Sequence, residues 1–146
     1  MTAIYSVERC LVQDLIRNQP MPDTPINKPI VFYDGACPLC SKEIAHYKKC
    51  RGADQLHWLD ISTAVEQLES FHLNYEQAMQ RFHVRSPEGE FHIGAYGFVY
   101  LWSFLKPYRF IGLLLTRLKL VRPLNWFYIK FANWRMKDRC DESCRL

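Results

Sequence analysis

The chain has 146 residues, of which 49% are hydrophobic and 14% aromatic, enough for one domain with a hydrophobic core. This composition excludes disordered, collagen-like and repeat-array chains. The N-terminus "MTAIYSVERCLVQDL" lacks the ordered basic, apolar and small-residue regions of a secretory signal. The longest uncharged stretch, Ile93–Leu105, is shorter than the ~20 apolar residues that cross a bilayer. We therefore expect a cytoplasmic protein.

Charge is distributed unevenly along the chain, although the formal net charge is only +4. Residues 1–105 hold 9 Lys and Arg against 12 Asp and Glu, whereas residues 106–146 hold 10 against 3. A basic, aromatic-rich C-terminal third can meet a membrane surface or a nucleic acid. It can equally be the solvated face of helices that pack on the rest of the domain.

The N-terminal segment, residues 1–28, is predicted to precede the folded core. Its apolar residues recur at helical spacing and predict a short amphipathic helix over 4–17, through Ile4, Val7, Leu11 and Leu15. The stretch "NQPMPDTPINKP" then has four prolines in twelve residues, which predicts an extended linker. The core is expected over 29–105 and a basic helical extension over 106–146, all within one compact domain.

The core begins with alternating strand and helix signals. "IVFYD" (30–34) is a continuous apolar, β-rich run, as in a strand buried on both faces. A helix should follow over 40–50, with Ile44 and Tyr47 facing inward. A second strand is predicted over 55–61, and shorter helical turns over 63–71 and 75–80.

The stretch "RFHVRSPEGEFHI" predicts a β-hairpin, because two short alternating runs flank the turn sequence "SPEG". A four-residue loop would pair Arg85 with Glu90 and place His83 opposite His92. Two imidazoles across a ladder can bind a metal, but a pair of partly exposed strand histidines is the interpretation we favour. A helix over 94–105 follows the hairpin.

The order of elements predicts the fold class. Two strands joined through a helix should be parallel, and the hairpin adds an antiparallel pair. This is the α/β topology of a thioredoxin or glutaredoxin core, β-α-β-α-β-β-α with a mixed four-stranded sheet. Beyond Pro107, two further helices form the C-terminal extension, the second with Pro123 in its first turn.

The sequence "CPLC" lies where the first strand should give way to the first helix. A helix N-terminus stabilises an anion, and the first cysteine of a CxxC at such an end has a pKa of ~3.5–7.5. Cys37 is therefore the candidate attacking thiol and Cys40 the candidate resolving thiol. Pro38 suits the first helical turn, and Lys42 is a nearby source of positive charge. Asp34 would oppose a thiolate, so we expect it to orient the turn or relay a proton.

Two alternatives for the CxxC pair stay open on the residues alone. Cys140 and Cys144 can supply a second thiolate pair, which would make a zinc-stabilised, non-catalytic module with Cys37 and Cys40. Inert packing is the other alternative. Cys140 and Cys144 can also be an accessory redox pair, although Cβ atoms four apart on a regular helix are ~5–6 Å apart and a disulfide needs ~3.5–4.5 Å. Cys10 and Cys50 are interpreted as small buried hydrophobes or as incidental thiols.

The last predicted helix carries an apolar stripe, interpreted as core: Leu124, Phe127, Phe131 and Trp134. Basic residues flank this stripe, so docking on a membrane surface or a partner protein is the alternative. This interaction module is the third candidate function, after thiol chemistry and a zinc module.

The residues around the CxxC resemble the DCC family of thiol-disulfide oxidoreductases, named for an Asp-Cys-Cys pattern. "YDGACPLCSKEI" matches its signature through Tyr33, Asp34, Gly35, Cys37, Pro38 and Cys40. "EGEFHIGAYGF" resembles the family's hairpin followed by Gly-Ala and an aromatic helix, and "FYIKFANWRMKDR" its closing Tyr…Asn-x-Arg helix. The resemblance runs from about Ile30 to the C-terminus.

The resemblance implies a thioredoxin-like fold and thiol exchange through Cys37 and Cys40. No bound cofactor or metal is expected, because the two thiols carry the electrons. The expected partners are a protein or small-molecule disulfide and a donor such as glutathione or a thioredoxin-type reductant, and no nucleic acid. Thioredoxin-fold enzymes usually have a cis-proline before the third strand, but here Gln80 or Arg81 takes that place and Pro87 lies in the hairpin turn.

Overall fold

The computed structural model describes residues 27–143, with side chains as far as Lys137. The predicted helix over 4–17 and most of the proline-rich linker lie outside the described residues. The same holds for Cys10, for Cys144 and for the side chain of Cys140. The predictions made for these cysteines therefore stay predictions.

The helices and strands follow the order predicted from the sequence. The strands are β1 (Ile30–Tyr33), β2 (His57–Asp60), β3 (His83–Arg85) and β4 (Phe91–Ile93). The helices are α1 (Pro38–Tyr47), α2 (Val65–Ser70), α3 (Tyr75–Gln80), α4 (Ala95–Phe104), α5 (Lys106–Arg117) and α6 (Val121–Ser143). A short 3-10 helix, Ala53–Gln55, precedes β2.

The four strands form one mixed sheet in the order β2-β1-β3-β4. β1 runs parallel to β2 and antiparallel to β3, and β3 pairs antiparallel with β4. The predicted thioredoxin-like arrangement of the α/β core, with helices added at its C-terminal end, is confirmed. Because β1 and β2 are parallel, their C-terminal ends meet at the same edge of the sheet, next to the start of α1.

The central strand β1 is buried on both faces, as its continuous apolar sequence predicted. Ile30 and Phe32 pack in a cluster with α2 and α3 on one face of the sheet. Val31 packs on the other face with Ile44 and Tyr47 of α1 and with residues of α4. Successive side chains of a strand point to opposite faces, so β1 contributes to both halves of the core.

The hairpin forms where the sequence predicted it, but the predicted register is wrong by one residue. Ser86 and Glu90 are joined by a hydrogen bond of 2.8 Å from the Ser86 N–H to the Glu90 carbonyl. The loop therefore has three residues and ends at Gly89, whose φ of 97° is left-handed. Three-residue loops combine a turn with a left-handed residue, which shifts the pairing relative to a four-residue loop.

The corrected register separates the two histidines of the hairpin. His83 pairs with Ile93, and Val84 pairs with His92. Directly paired residues share a face, so His83 and His92 lie on opposite faces of the sheet. His83 is also buried, with one ring nitrogen 2.8 Å from the Arg81 carbonyl, which contradicts the interpretation of two partly exposed histidines.

The last two helices pack on α4 but leave much of their apolar surface uncovered. The stripe of α6 interpreted as core from the sequence is exposed along its length: Leu124, Phe127, Phe131 and Trp134. The inward side of α6 is formed instead by Val121 and Ala132, with Tyr128 and Arg135 partly buried beside them. Over the described part of the chain, no helix is both long and apolar enough to cross a membrane.

Candidate functional site

Asp34 shapes the turn that joins β1 to α1. Its side chain is buried, and its Oδ1 accepts a hydrogen bond of 3.0 Å from the Ala36 N–H. Its backbone carbonyl accepts another, of 3.2 Å, from the Cys37 N–H. An aspartate that bonds the backbone two residues further on stabilises such a turn. These contacts agree with the predicted role of Asp34 in orienting the turn.

A second carboxylate, Asp60 at the end of β2, holds the same turn from the other side. Its Oδ1 accepts hydrogen bonds from the Gly35 N–H at 2.9 Å and from the Ser62 hydroxyl at 2.6 Å. Burial acts to raise the pKa of Asp60, but the hydrogen bonds from Ser62 and Gly35 outweigh it and lower the pKa. A Cβ on Gly35 would overlap this carboxylate, so a larger residue at position 35 would displace the Asp60 side chain.

Asp60 was not among the site residues predicted from the sequence. The position of Asp60 at the end of a strand parallel to β1 was the signal that could have identified it. In the structure, Asp60 is paired with Tyr33 across β1 and β2. Residues at the C-terminal ends of adjacent parallel strands meet at one edge of the sheet. Asp60 is therefore placed beside the residues that immediately follow β1.

Cys37 is the N-cap residue of α1, and Pro38 is in the first turn, as predicted. The Cys37 carbonyl accepts the first helical hydrogen bond, of 2.9 Å, from the Ser41 N–H. Burial acts to raise the pKa of the Cys37 thiol, but hydrogen bonds from the backbone and thiol of Cys40 and from the Leu39 N–H lower it. The balance leaves the Cys37 pKa below that of an ordinary thiol, which favours the thiolate.

The pKa of the Cys40 thiol is shifted in the opposite direction. Burial raises the pKa of its thiol to about 11, against the lowering effect of Arg135 and with further raising by Cys37 and Asp34. One thiol is therefore poised to ionise while its neighbour stays protonated. A dithiol in which the two protons are held unequally has one favoured nucleophile.

Arg135 of α6 reaches the CxxC pair across the fold. Its Nη1 donates a hydrogen bond of 2.8 Å to the Cys40 Sγ, and its Nη2 donates one of 3.1 Å to the Met79 carbonyl. Within the described part of the chain, its buried Nε has no hydrogen-bond partner. The positive charge beside the thiols therefore comes from Arg135, whereas Lys42 is exposed on the surface of α1.

Tyr128 fixes α6 against the segment that precedes β3. Its hydroxyl accepts a hydrogen bond of 2.8 Å from the Phe82 N–H. Between residues 27 and 143 there is no cis peptide bond, in agreement with the absence of a proline before β3. This segment nevertheless borders the CxxC pair, since Met79, Arg81 and Phe82 line the same cavity as Cys40.

That cavity is small and lies beside Cys40. Its volume is about 60 Å³, and Tyr33 and Phe131 are also part of its lining. Tyr33 is fixed by Lys48, whose Nζ lies 3.0 Å from the Tyr33 hydroxyl. A space of this size holds a few water molecules at most, so a disulfide substrate has to approach the pair from outside. The sequence neighbours of the two cysteines at Ala36, Pro38 and Leu39 are exposed, and Leu39 also lines the cavity.

Cys50, the one further cysteine whose side chain the structure describes, is not brought to the site. Cys50 is partly buried at the end of α1, where its thiol lies 3.6 Å from the His46 carbonyl. Among the side chains that the structure describes, no group of three or more His, Cys, Asp or Glu residues could hold a metal ion. The zinc alternative needs Cys140 and Cys144, which lie beyond those side chains.

Comparison with known proteins identifies a family. A family model described as DCC1-like thiol-disulfide oxidoreductase matches residues 31–140. The match includes the CxxC pair, the hairpin and Arg135. No curated protein and no solved structure matches the chain.

Proposed function

Because the chain belongs to the DCC1-like thiol-disulfide oxidoreductase family, we propose that it exchanges thiols and disulfides through Cys37 and Cys40. Cys37 is the attacking thiol and Cys40 the resolving thiol. The observation that carries the proposal is the placement of the pair: Cys37 is the N-cap residue of α1, and the Sγ of Cys40 accepts a hydrogen bond of 2.8 Å from Arg135. The lowered pKa of Cys37 and the raised pKa of Cys40 agree with this assignment.

The first step forms a mixed disulfide. The Cys37 thiolate attacks one sulfur of the substrate disulfide, whose S–S bond breaks as the Cys37–substrate bond forms. The leaving thiolate takes a proton from solvent. The N-terminus of α1 and the Leu39 N–H stabilise the Cys37 thiolate before it attacks.

The second step releases the product. Cys40 loses its proton and attacks the Cys37 sulfur, which breaks the mixed disulfide and leaves Cys37 joined to Cys40. Over both steps the dithiol loses two electrons and two protons, and the substrate disulfide becomes two thiols. An external thiol such as glutathione, or a thioredoxin-type reductant, restores the dithiol without a bound cofactor.

Arg135 and Asp34 have opposite effects on the ionisation of the resolving thiol, Cys40. The Arg135 guanidinium contacts the Cys40 sulfur and favours its thiolate, whereas the Asp34 carboxylate disfavours it. Arg135 is thus a positioning residue that lowers the cost of ionising Cys40 in the second step. We propose Asp34, which borders the same cavity as Cys40, as the acceptor of the Cys40 proton.

A turnover assay with trapping tests the proposal. The full chain should reduce a small-molecule disulfide with glutathione or a dithiol as the donor. Cys37→Ser should abolish turnover, whereas Cys40→Ser should accumulate a mixed disulfide at Cys37, visible by mass. Cys50→Ser, a cysteine away from the pair, is the matched control and should retain activity. Turnover that survives Cys37→Ser contradicts the proposal.

A further inference from the structure

The helices α5 and α6 present an unusual number of large apolar side chains to solvent. The two helices and the turn between them expose eleven large apolar side chains. We call these side chains and the exposed basic residues beside them the apolar-basic surface. The apolar members are Phe110, Ile111, Leu113, Leu114, Leu118, Leu120, Leu124, Trp126, Phe127, Phe131 and Trp134. Exposed apolar residues in such numbers on adjoining elements mark an interaction site.

On α5 the apolar face is not the face that packs on the protein. Phe110, Leu114 and Leu118 recur every fourth residue and therefore share one side of the helix, where each is exposed. The buried position is Gly112, which lies against α4 near Val99. The fold thus uses a small residue for its own packing and leaves the large ones outside.

On α6, too, a small residue packs on the protein and the large apolar side chains face outward. Its inward side is anchored by Ala132, which is 2% exposed, and by Arg135 at Cys40. On the outward side, Phe127 is 64% and Trp134 62% exposed. Two large aromatic side chains left in water on one face of a helix are costly unless that face meets an apolar phase.

The charge of this region limits the kind of partner. Residues 106–137 contain eight Lys and Arg and no Asp or Glu. Apart from Arg135, all of these side chains are exposed, at Lys106, Arg109, Arg117, Lys119, Arg122, Lys130 and Lys137. A partner that covers this surface has to be negatively charged and also has to accept apolar side chains.

We propose that the apolar-basic surface binds the surface of an anionic lipid bilayer, with α5 and α6 lying in the interface. Basic residues beside Trp, Phe and Leu are the composition of helices that bind in this way. The Lys130 Nζ lies 4.7 Å from the Trp126 ring centre, which places a charge and an aromatic ring together at headgroup depth. A nucleic acid would match the charge but would leave the apolar side chains in water. A second copy would bring like charges together.

Membrane binding would bring the CxxC pair close to the bilayer. Phe131 belongs both to the exposed stripe of α6 and to the lining of the cavity beside Cys40. Leu39, between the two cysteines, is also exposed. The lipid-binding proposal stands on the exposed side chains and charges alone, so it does not depend on the thiol chemistry.

Vesicle co-sedimentation of the full chain tests the proposal. The protein should sediment with vesicles of phosphatidylcholine mixed with phosphatidylglycerol, and much less with phosphatidylcholine alone. Binding should weaken as salt is raised, because exposed charges are screened. Phe127→Ser and Trp134→Ser should each weaken binding by about tenfold or more, and Arg122→Glu should weaken it on the anionic vesicles only.

The controls separate lipid binding from folding and from other partners. Val65→Ser removes an exposed apolar side chain on α2, a helix that contributes no residue to the apolar-basic surface, and should leave binding unchanged. Thermal unfolding and thiol reactivity should be the same in all variants. Failure of the full chain to bind anionic vesicles overturns the proposal. It is also overturned if Phe127→Ser dissociates a dimer, because the surface is then a contact between copies.

Discussion

Arg135 donates a hydrogen bond of 2.8 Å to the sulfur of Cys40, a residue 95 positions earlier in the chain. Met79 holds the other terminal nitrogen of the same guanidinium through its carbonyl. The C-terminal helix α6 thereby supplies the positive charge of a site whose two cysteines lie at the start of α1. The extension therefore contacts the CxxC pair as well as the rest of the core.

Removal of Arg135 should slow the resolving step more than the attacking step. In Arg135→Met, the Cys40 thiolate loses a charge-assisted hydrogen bond, which is worth ~1.5–3 kcal/mol, or about 10- to 150-fold in rate. Single-turnover kinetics that follow the mixed disulfide and the final thiol separately measure both steps. Lys42→Met removes an exposed charge from α1 and is the matched control. Equal effects of the two substitutions would refute this role of Arg135.

The two thiols should react with iodoacetamide in different pH ranges. Since only the thiolate reacts, Cys37 in a Cys40→Ser background should show a midpoint below that of an ordinary thiol. In the wild type, burial raises the pKa of Cys40 to about 11, and Cys37 contributes to this rise. Cys40 in a Cys37→Ser background should therefore show a midpoint above that of an ordinary thiol but below pH 11. With a pKa of about 11, about one Cys40 in ten thousand is ionised at pH 7. A midpoint for Cys40 below that of Cys37 would reverse the assignment.

A methyl group on Gly35 should disturb the turn before Cys37. In Gly35→Ala the new Cβ overlaps the Asp60 carboxylate, and overpacking of this kind costs ~1–3 kcal/mol. Urea unfolding of the reduced protein measures the cost. In the double variant Gly35→Ala/Asp60→Ala the overlap is gone, so the two substitutions should cost less together than their sum. Strictly additive costs would mean that the two residues do not interact.

Loss of the Tyr128 hydroxyl should destabilise the protein. In Tyr128→Phe the Phe82 N–H loses its acceptor, and a buried unsatisfied donor costs ~1–3 kcal/mol. The urea midpoint is expected to fall. Tyr96→Phe, which removes a hydroxyl from an exposed tyrosine, should change stability by less than ~0.5 kcal/mol. If both variants unfold at the same urea concentration, Tyr128 does not fix α6 to the core.

Local sequence patterns were sufficient for most of the fold. The run "IVFYD", the helix after Cys37 and the hairpin each carry their own periodicity or turn residues, so they were predicted close to their observed positions. The hairpin register was wrong because one residue, Gly89, adopts a left-handed conformation that shortens the loop. The alternating residues and the turn sequence predicted the hairpin, but they did not determine whether its loop has three or four residues.

The candidate site was only partly predictable. Asp34, Cys37 and Cys40 are neighbours in sequence, and the strand-to-helix transition pointed to them. Arg135 and Asp60 join them through tertiary packing, which no local pattern encodes. The buried face of α6 was also predicted wrongly, because apolar residues recur at helical spacing on two opposite faces of this helix. The contacts of Arg135 with Cys40 and of Tyr128 with Phe82 decide which face turns inward.

A redox titration decides whether Cys37 and Cys40 form a redox-active pair. Thiol content is followed in glutathione or dithiothreitol buffers of known potential, with the wild-type chain and Cys37→Ser side by side. We predict a reversible two-electron transition between about −120 and −270 mV, the span of known oxidoreductases, which is lost in Cys37→Ser. The absence of a transition in the wild type, or its persistence in Cys37→Ser, would show that Cys37 and Cys40 are not the redox-active pair.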